Sequence, residues 1–161
     1  MGKMQRDKGK RFERQIARKL RDFFPTYSET IRRSIQSREA EESDVTGLPG
    51  LWIECQDARI PTPLKKLEQA ERDVRANKLE ADVIPIAVTH KMRNKTIHVT
   101  LRLSHLHFIF GHHMNDYRFS APFALESSTA TPHVAVLLDD FLEVVKEYVD
   151  HINKENENDA P

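Results

Sequence analysis

Cysteine is nearly missing from this chain of 161 residues. Cys55 stands alone, so no internal disulfide can form and no thiolate zinc site can be built from it. Long apolar runs are missing as well. No window approaches the roughly 18 consecutive apolar residues of a membrane-spanning helix, and basic Met1 to Lys10 is not followed by the apolar core of a signal peptide. A cytoplasmic protein held by a packed core is the expectation. Collagen-like, disulfide-rich and low-complexity classes are excluded by the same composition, and the length fits one domain. Net charge is absent too, with 25 Lys and Arg against 25 Asp and Glu. That zero is a cancellation between segments. Residues 1 to 38 carry 12 Lys or Arg and 4 acids, whereas residues 139 to 161 carry 8 acids and 2 lysines. A basic segment favours a polyanion, because each phosphate it neutralises releases condensed counterions; a solvated tail is the alternative.

Hydrophobic spacing organises what remains. Phe12, Ile16, Ala17, Leu20, Phe23 and Phe24 recur at three and four, which predicts an amphipathic helix over 7–24 with a basic outer face, stopped by Pro25. An extended segment is expected over 27–36, a loop at Glu39 to Glu42, a turn over 43–50 and a short buried strand from Leu51 to about Gln56. Thr62 between two prolines can cap a second helix over 64–78. Strands follow over 83–89 and 96–103, separated by a polar turn at 91–95, with Pro85 lying where the ladder needs no amide. Asp139 can cap a last helix, and residues 153–161 read as a polar tail beyond a single domain of residues 1–152. The order of elements predicts an α/β fold with a mixed central β-sheet flanked by helices.

One segment asks for chemistry. In SDVTGLPGLWIECQ a carboxylate at a turn, Asp44, precedes a second, Glu54, inside an apolar strand. Burying a carboxylate forfeits hydration worth several kcal/mol, so Glu54 requires a cation, a proton or hydrogen bonds. A strand hairpin would bring Asp44 and Glu54 together at one edge. Their oxygens, with the carbonyl of Cys55, suit Mg²⁺ or Mn²⁺.

These residues resemble the PD-(D/E)XK nuclease superfamily, in particular its small Holliday-junction-resolvase-like members common in bacteriophages and archaea. The motifs are a glutamate on an early helix (Glu13 in GKRFERQIA), an aspartate in a turn before a strand (Ser43-Asp44), and the E-x-K strand, here Glu54-Cys55-Gln56. A helix and an apolar strand follow, so the likeness covers about residues 8 to 103. It implies a restriction-endonuclease-like core and Mg²⁺-dependent hydrolysis of phosphodiester bonds in branched or structured DNA. A homodimer is implied too, with the host cytoplasm as location if a phage encodes the chain. Asp44 and Glu54 would hold the metal, with Glu13 assisting as a ligand or through a coordinated water. Gln56 stands where the family places lysine. It would orient the attacking water by hydrogen bonds, with Lys65, Lys66 or Gln69 supplying missing contacts. Lys8, Lys10, Arg11, Arg14, Arg32, Arg33 and Arg38 would hold the DNA backbone.

Other readings stand beside these. Glu13 can be a helix-surface ion-pair partner, and Asp44 a turn cap. The run SHLHFIFGHH, with His105, His107, His112 and His113, matches no fixed zinc spacing, and its apolar members point to packing. Cys55 reads as a small buried residue, and Trp52 as a core anchor or a stacking platform. The last helix has an apolar stripe at 141, 144, 145, 148, 149 and 152 that fits a core or a partner. A DNA-binding module without cleavage, or an interaction protein whose basic helix meets an acidic partner, are the rival functions.

Overall fold

In this computed structural model the described residues are 3–35, 42–113, 124–126 and 132–158. The central strand, β3 (Leu51–Ala58), is buried over its first five residues, as a strand covered on both faces must be. Before it come α1 (Lys3–Phe23), β1 (Arg32–Arg33) and β2 (Val45–Thr46); after it come α2 (Pro63–Ala76), β4 (Ile84–Lys91), β5 (Ile97–Arg102), α3 (Leu103–His113), β6 (Ala124–Glu126), β7 (His133–Leu137) and α4 (Leu138–Asn158). The strands form one mixed sheet of order β1-β2-β3-β4-β5-β7-β6. Among the described strands only β3 and β4 pair in parallel, joined through α2 as a βαβ unit. The mixed α/β sheet flanked by helices agrees with the expected fold class.

Side-chain alternation divides the core. Leu51, Ile53 and Cys55 join Phe12 and Ile16 of α1 and Phe141, Val145 and Val149 of α4 in a large apolar cluster. Trp52 packs on the opposite face with Ala70 and Val74 of α2. Strand period two thus sends Trp52, Glu54 and Gln56 toward α2, and their neighbours toward α1 and α4. Pro85 stacks in register opposite Trp52, and β5 begins pairing with β4 only at Ala87, so the missing amide is not needed.

Several expectations are corrected. Helix α1 begins at Lys3, before the apolar periodicity starts. The segment over 27–36 is mostly turn: the Tyr27 carbonyl accepts the amides of Thr30 and Ile31, leaving only Arg32 and Arg33 in strand. Residues 103–113, without regular spacing, form α3 and bury Leu106 and Ile109. The strands β6 and β7 were not expected. Thr62 precedes α2 but makes no side-chain cap. Asp139 lies inside the first turn of α4, because that helix follows β7 without a linker, and it pairs with Lys19. Helix α4 continues through Asn158, past the expected tail boundary at Asn153. Its stripe at 141, 144, 145, 148 and 149 is buried within the chain, so that surface is not free for a partner. Among the described residues no helix is long and apolar enough to cross a membrane.

The β2–β3 hairpin depends on Gly47. Its φ is +90°, and a Cβ there would lie 2.0 Å from the Thr30 carbonyl oxygen. The oxygen is backbone and the Cβ position is fixed by backbone geometry, so neither can give way. Gly47→Ala should therefore destabilise the fold by about 2 kcal/mol or more. Gly111→Ala, whose new methyl meets nothing within 4 Å, should be neutral or stabilising. Urea unfolding of the two variants checks the contrast, and equal stabilities would refute it.

Candidate active site at one end of the sheet

Strand direction decides which chain segments meet. Because β2 is antiparallel to both β1 and β3, and β4 is parallel to β3, the C-terminal ends of β1, β3 and β4 share one end of the sheet with the start of β2. The start of α2 lies there too. Lys8 of α1 reaches the β4–β5 turn, its Nζ 3.8 Å from Met92 Sδ, and Phe12 stacks on His90 with ring centroids 5.7 Å apart. Asp44, Glu54, the start of α1 and the basic turn therefore gather at one edge.

The two carboxylates meet as the hairpin requires. Val45 pairs with Ile53, so Asp44 falls beyond the last paired residue of β2 and takes over part of the ladder: its Oδ2 accepts the Cys55 backbone N–H at 2.8 Å. The N–H and C=O of a strand residue point to the same side, which puts the Cys55 carbonyl on that edge as well. Glu54, only 3% exposed, has both oxygens engaged. Trp52 donates its indole N–H to Oε1 at 3.3 Å; Lys66 Nζ and Gln69 Nε2 donate to Oε2 at 2.7 and 3.2 Å. The same Lys66 ammonium lies 3.3 Å from Asp44 Oδ2. One cation thus holds two acids.

The electrostatics follow from that arrangement. Burial, and then the charge of Asp44, push Glu54 up to about 7 against the pull of Lys66. Burial alone would lower Lys66, yet Asp44 and Glu54 raise it. Burial also lifts the Cys55 thiol well above its ordinary range, with Asp44 and Glu54 adding to it, so the sulfur is no thiolate ligand. Two carboxylates and a main-chain carbonyl are hard oxygen donors, and one ammonium leaves them short of positive charge. Such donors are the type a Mg²⁺-like ion takes; here they are engaged by Trp52, Lys66, Gln69 and the Cys55 amide.

Not every expected residue joins the pair. Glu13 is 7% exposed on the α1 side and bonds Arg33 Nη1 at 3.1 Å, across elements and not along its helix. Burial and the charge of Asp44 raise its pKa, so it senses the pair electrostatically. Among the described residues no three His, Cys, Asp or Glu side chains form a metal-holding group. Gln56, on the same strand face as Glu54, bonds Thr62 and not the carboxylates. Its Oε1 accepts the Thr62 N–H at 2.7 Å and its Nε2 bonds the Thr62 hydroxyl at 3.2 Å, so it fastens the first turn of α2. That contact ties β3 to the helix that carries Lys66. Of the three α2 residues, Lys66 and Gln69 reach Glu54, one helical turn apart, whereas Lys65 is exposed.

Among the expected DNA contacts, Lys8, Arg11, Arg14 and Arg32 are exposed and Lys10 is half-buried. Arg33 and Lys66 are instead held in ion pairs, and Arg38 lies outside the described residues, as do the side chains of His112 and His113. Sequence reading missed Trp52 as a partner of Glu54, although two-residue strand spacing puts both on one face. It also missed Asp57 and His90, paired at 2.9 Å, with His90 Nε2 at 2.8 Å from the Asn94 carbonyl. The cations Arg59, Lys91, Arg93 and Lys95, scattered in sequence, are exposed around the same end. Compared with protein-family models, curated proteins and solved structures, the chain gives no significant match.

The raised Glu54 has a thermodynamic signature. Its folded-state pKa of about 7 exceeds the ordinary 4.5, so the folded protein holds the extra proton between those values. Stability should therefore fall as pH rises through that window, the benefit being complete only below about 4.5. Unfolding measured in EDTA should show this decline for the parent and a flatter profile for Glu54→Gln. A stability difference between the two that is independent of pH would exclude it.

Proposed function

We propose that this protein is a divalent-metal-dependent endonuclease that hydrolyses phosphodiester bonds in DNA, with branched or structured DNA as its substrate class. The observation that carries the reading is the Lys66 ammonium at 2.7 Å from Glu54 and 3.3 Å from Asp44, at the sheet end where exposed cations gather. The motif resemblance calls for two acids and a lysine. Here the lysine comes from the first turns of α2 in place of Gln56.

Asp44, Glu54 and the Cys55 carbonyl would hold the metal. When bound, such an ion polarises a phosphoryl oxygen and makes a water acidic enough to attack near neutral pH. The chain's own groups supply the rest. Trp52 and Gln69 fix the Glu54 carboxylate, and the Cys55 amide fixes Asp44, so neither acid must reorganise when charge arrives. Lys66, anchored through the Gln56–Thr62 contact at the helix start, places a positive charge where negative charge develops on the phosphate. Lys8, Lys10, Arg11, Arg14, Arg32 and Lys65 contact the DNA backbone, giving affinity without base readout. In a homodimer two such sites could act on one junction, but the apolar stripe of α4 is already used inside the chain.

Cleavage of four-way, flapped and duplex DNA with Mg²⁺ or Mn²⁺ tests the reading. Asp44→Ala and Glu54→Ala should abolish turnover while leaving DNA binding largely intact. Lys66→Ala should slow cleavage by roughly 10²- to 10³-fold, the size seen for loss of one preorganised charge-stabilising group. Lys65→Ala should act mainly on binding. Affinity should fall steeply with salt, less steeply after Arg11→Ala or Arg14→Ala. Salt-dependent binding without cleavage under any metal would leave a DNA-binding module of the same fold. Unimpaired cleavage by Asp44→Ala and Glu54→Ala would refute the assignment of the site.

A further inference from the structure

At its other end the sheet opens. Strand β4 starts at Ile84, yet its pairing with β5 begins only at Ala87, opposite Thr100, and Arg102 pairs with β7 alone. Pro85, which has no amide to give, lies in the unpaired stretch. A cavity of about 840 Å³ opens here between the start of β4, the end of β5 and α2. Val74, Val83, Pro85, Leu103 and Pro132 give it an apolar lining. None of Asp44, Glu54 and Lys66 lines it, and the carboxylate edge lies where β3 and β4 end. Its volume falls in the range of small-molecule sites, roughly 300 to 1,000 Å³.

The charges around this cavity cancel. Arg102 forks onto Glu71, with Nε at 2.5 Å from Oε1 and Nη2 at 2.6 Å from Oε2, and Glu68 adds a further negative charge nearby. Arg75 and Glu80, both exposed, contribute one charge of each sign. Burial lowers the pKa of His105, so this imidazole is neutral at pH 7. Its buried Nδ1 has no hydrogen-bond partner among the described residues, a condition native proteins seldom leave unmet. Ser104 and His107 line the same side and are exposed.

This lining selects among ligands. An anion finds no surplus of positive charge, and an acyl chain would leave the polar groups without partners. A flat heterocycle meets both demands, because its faces are apolar and its edges donate and accept hydrogen bonds. Arg102, held in plane by its two-point pairing with Glu71, is the kind of group on which such rings stack.

We propose that this cavity binds an uncharged nucleobase, stacked on Arg102 above the apolar lining, presented by a free nucleoside or by an unpaired position of a strand. The site needs neither a metal nor the carboxylate pair, so it stands apart from the hydrolysis proposed above.

Calorimetric titration of the full chain in EDTA with adenosine, thymidine and ribose tests this. Both nucleosides should bind, whereas ribose, which has no base, should not. Arg102→Lys keeps a cation for Glu71 and removes the flat face; Ser104→Trp sets an indole against the cavity from an exposed position. Each should weaken nucleoside binding roughly tenfold, while circular dichroism shows the fold retained. Unchanged affinity in either folded variant would overturn the proposal, as would a parent that binds no nucleoside. Displacement of adenosine by a single-stranded oligonucleotide, but not by the same backbone without bases, would identify the ligand as an unpaired base of a strand. Displacement by neither would identify it as a free nucleoside. Because no metal is present, base binding and hydrolysis succeed or fail separately.

Discussion

A carboxylate in the middle of an apolar strand is the constraint around which this structure is arranged. Glu54 cannot be left buried and ionised without a partner, because its lost hydration exceeds what most single contacts return. The fold answers with three donors on one face: the indole of Trp52 two residues earlier, and the ammonium and amide of Lys66 and Gln69 on the helix that follows. That answer remains partial. Asp44 shares the same lysine, and the proton affinity of Glu54 stays high. The cluster therefore holds two carboxylates against one ammonium.

The rest of the architecture serves that edge. Strand β2 is only two residues long, and its early end lets the Asp44 side chain stand in for a missing backbone partner at Cys55. Gln56 and Thr62 fasten the turn into α2, which sets the direction of Lys66. On the other face, Arg33 neutralises buried Glu13. These contacts span from six to twenty residues of chain, and each lies within or beside the charged cluster.

Legibility in the sequence followed the range of the interactions. The strand at 51–58, the helix over 63–76 and the strand at 84–91 carry their own periodicity, and the suspicion attached to Glu54 needs only its immediate neighbours. The short strands β1, β6 and β7 carry too few residues for a pattern, and α3 has apolar residues on several sides, Leu106 and Ile109 buried and Phe108 exposed. The partner of Gln56 was hidden for a different reason: its position in the strand is local, but Thr62 at the start of α2 is met only after the chain turns.

What the sequence by itself determined was the set of groups that need each other: an unsupported glutamate, an aspartate at a turn, and a basic amphipathic first segment. Spacing and burial preference are local properties, so they can be read residue by residue. The tertiary structure alone decided which cation answers the glutamate, because Lys65 and Lys66 are chemically alike in the chain and only helix packing selects between them. It also decided that cations from α1, the β3–α2 loop and the β4–β5 turn share one end of the sheet. Strand direction fixes that gathering, and strand direction is set by pairing between distant segments.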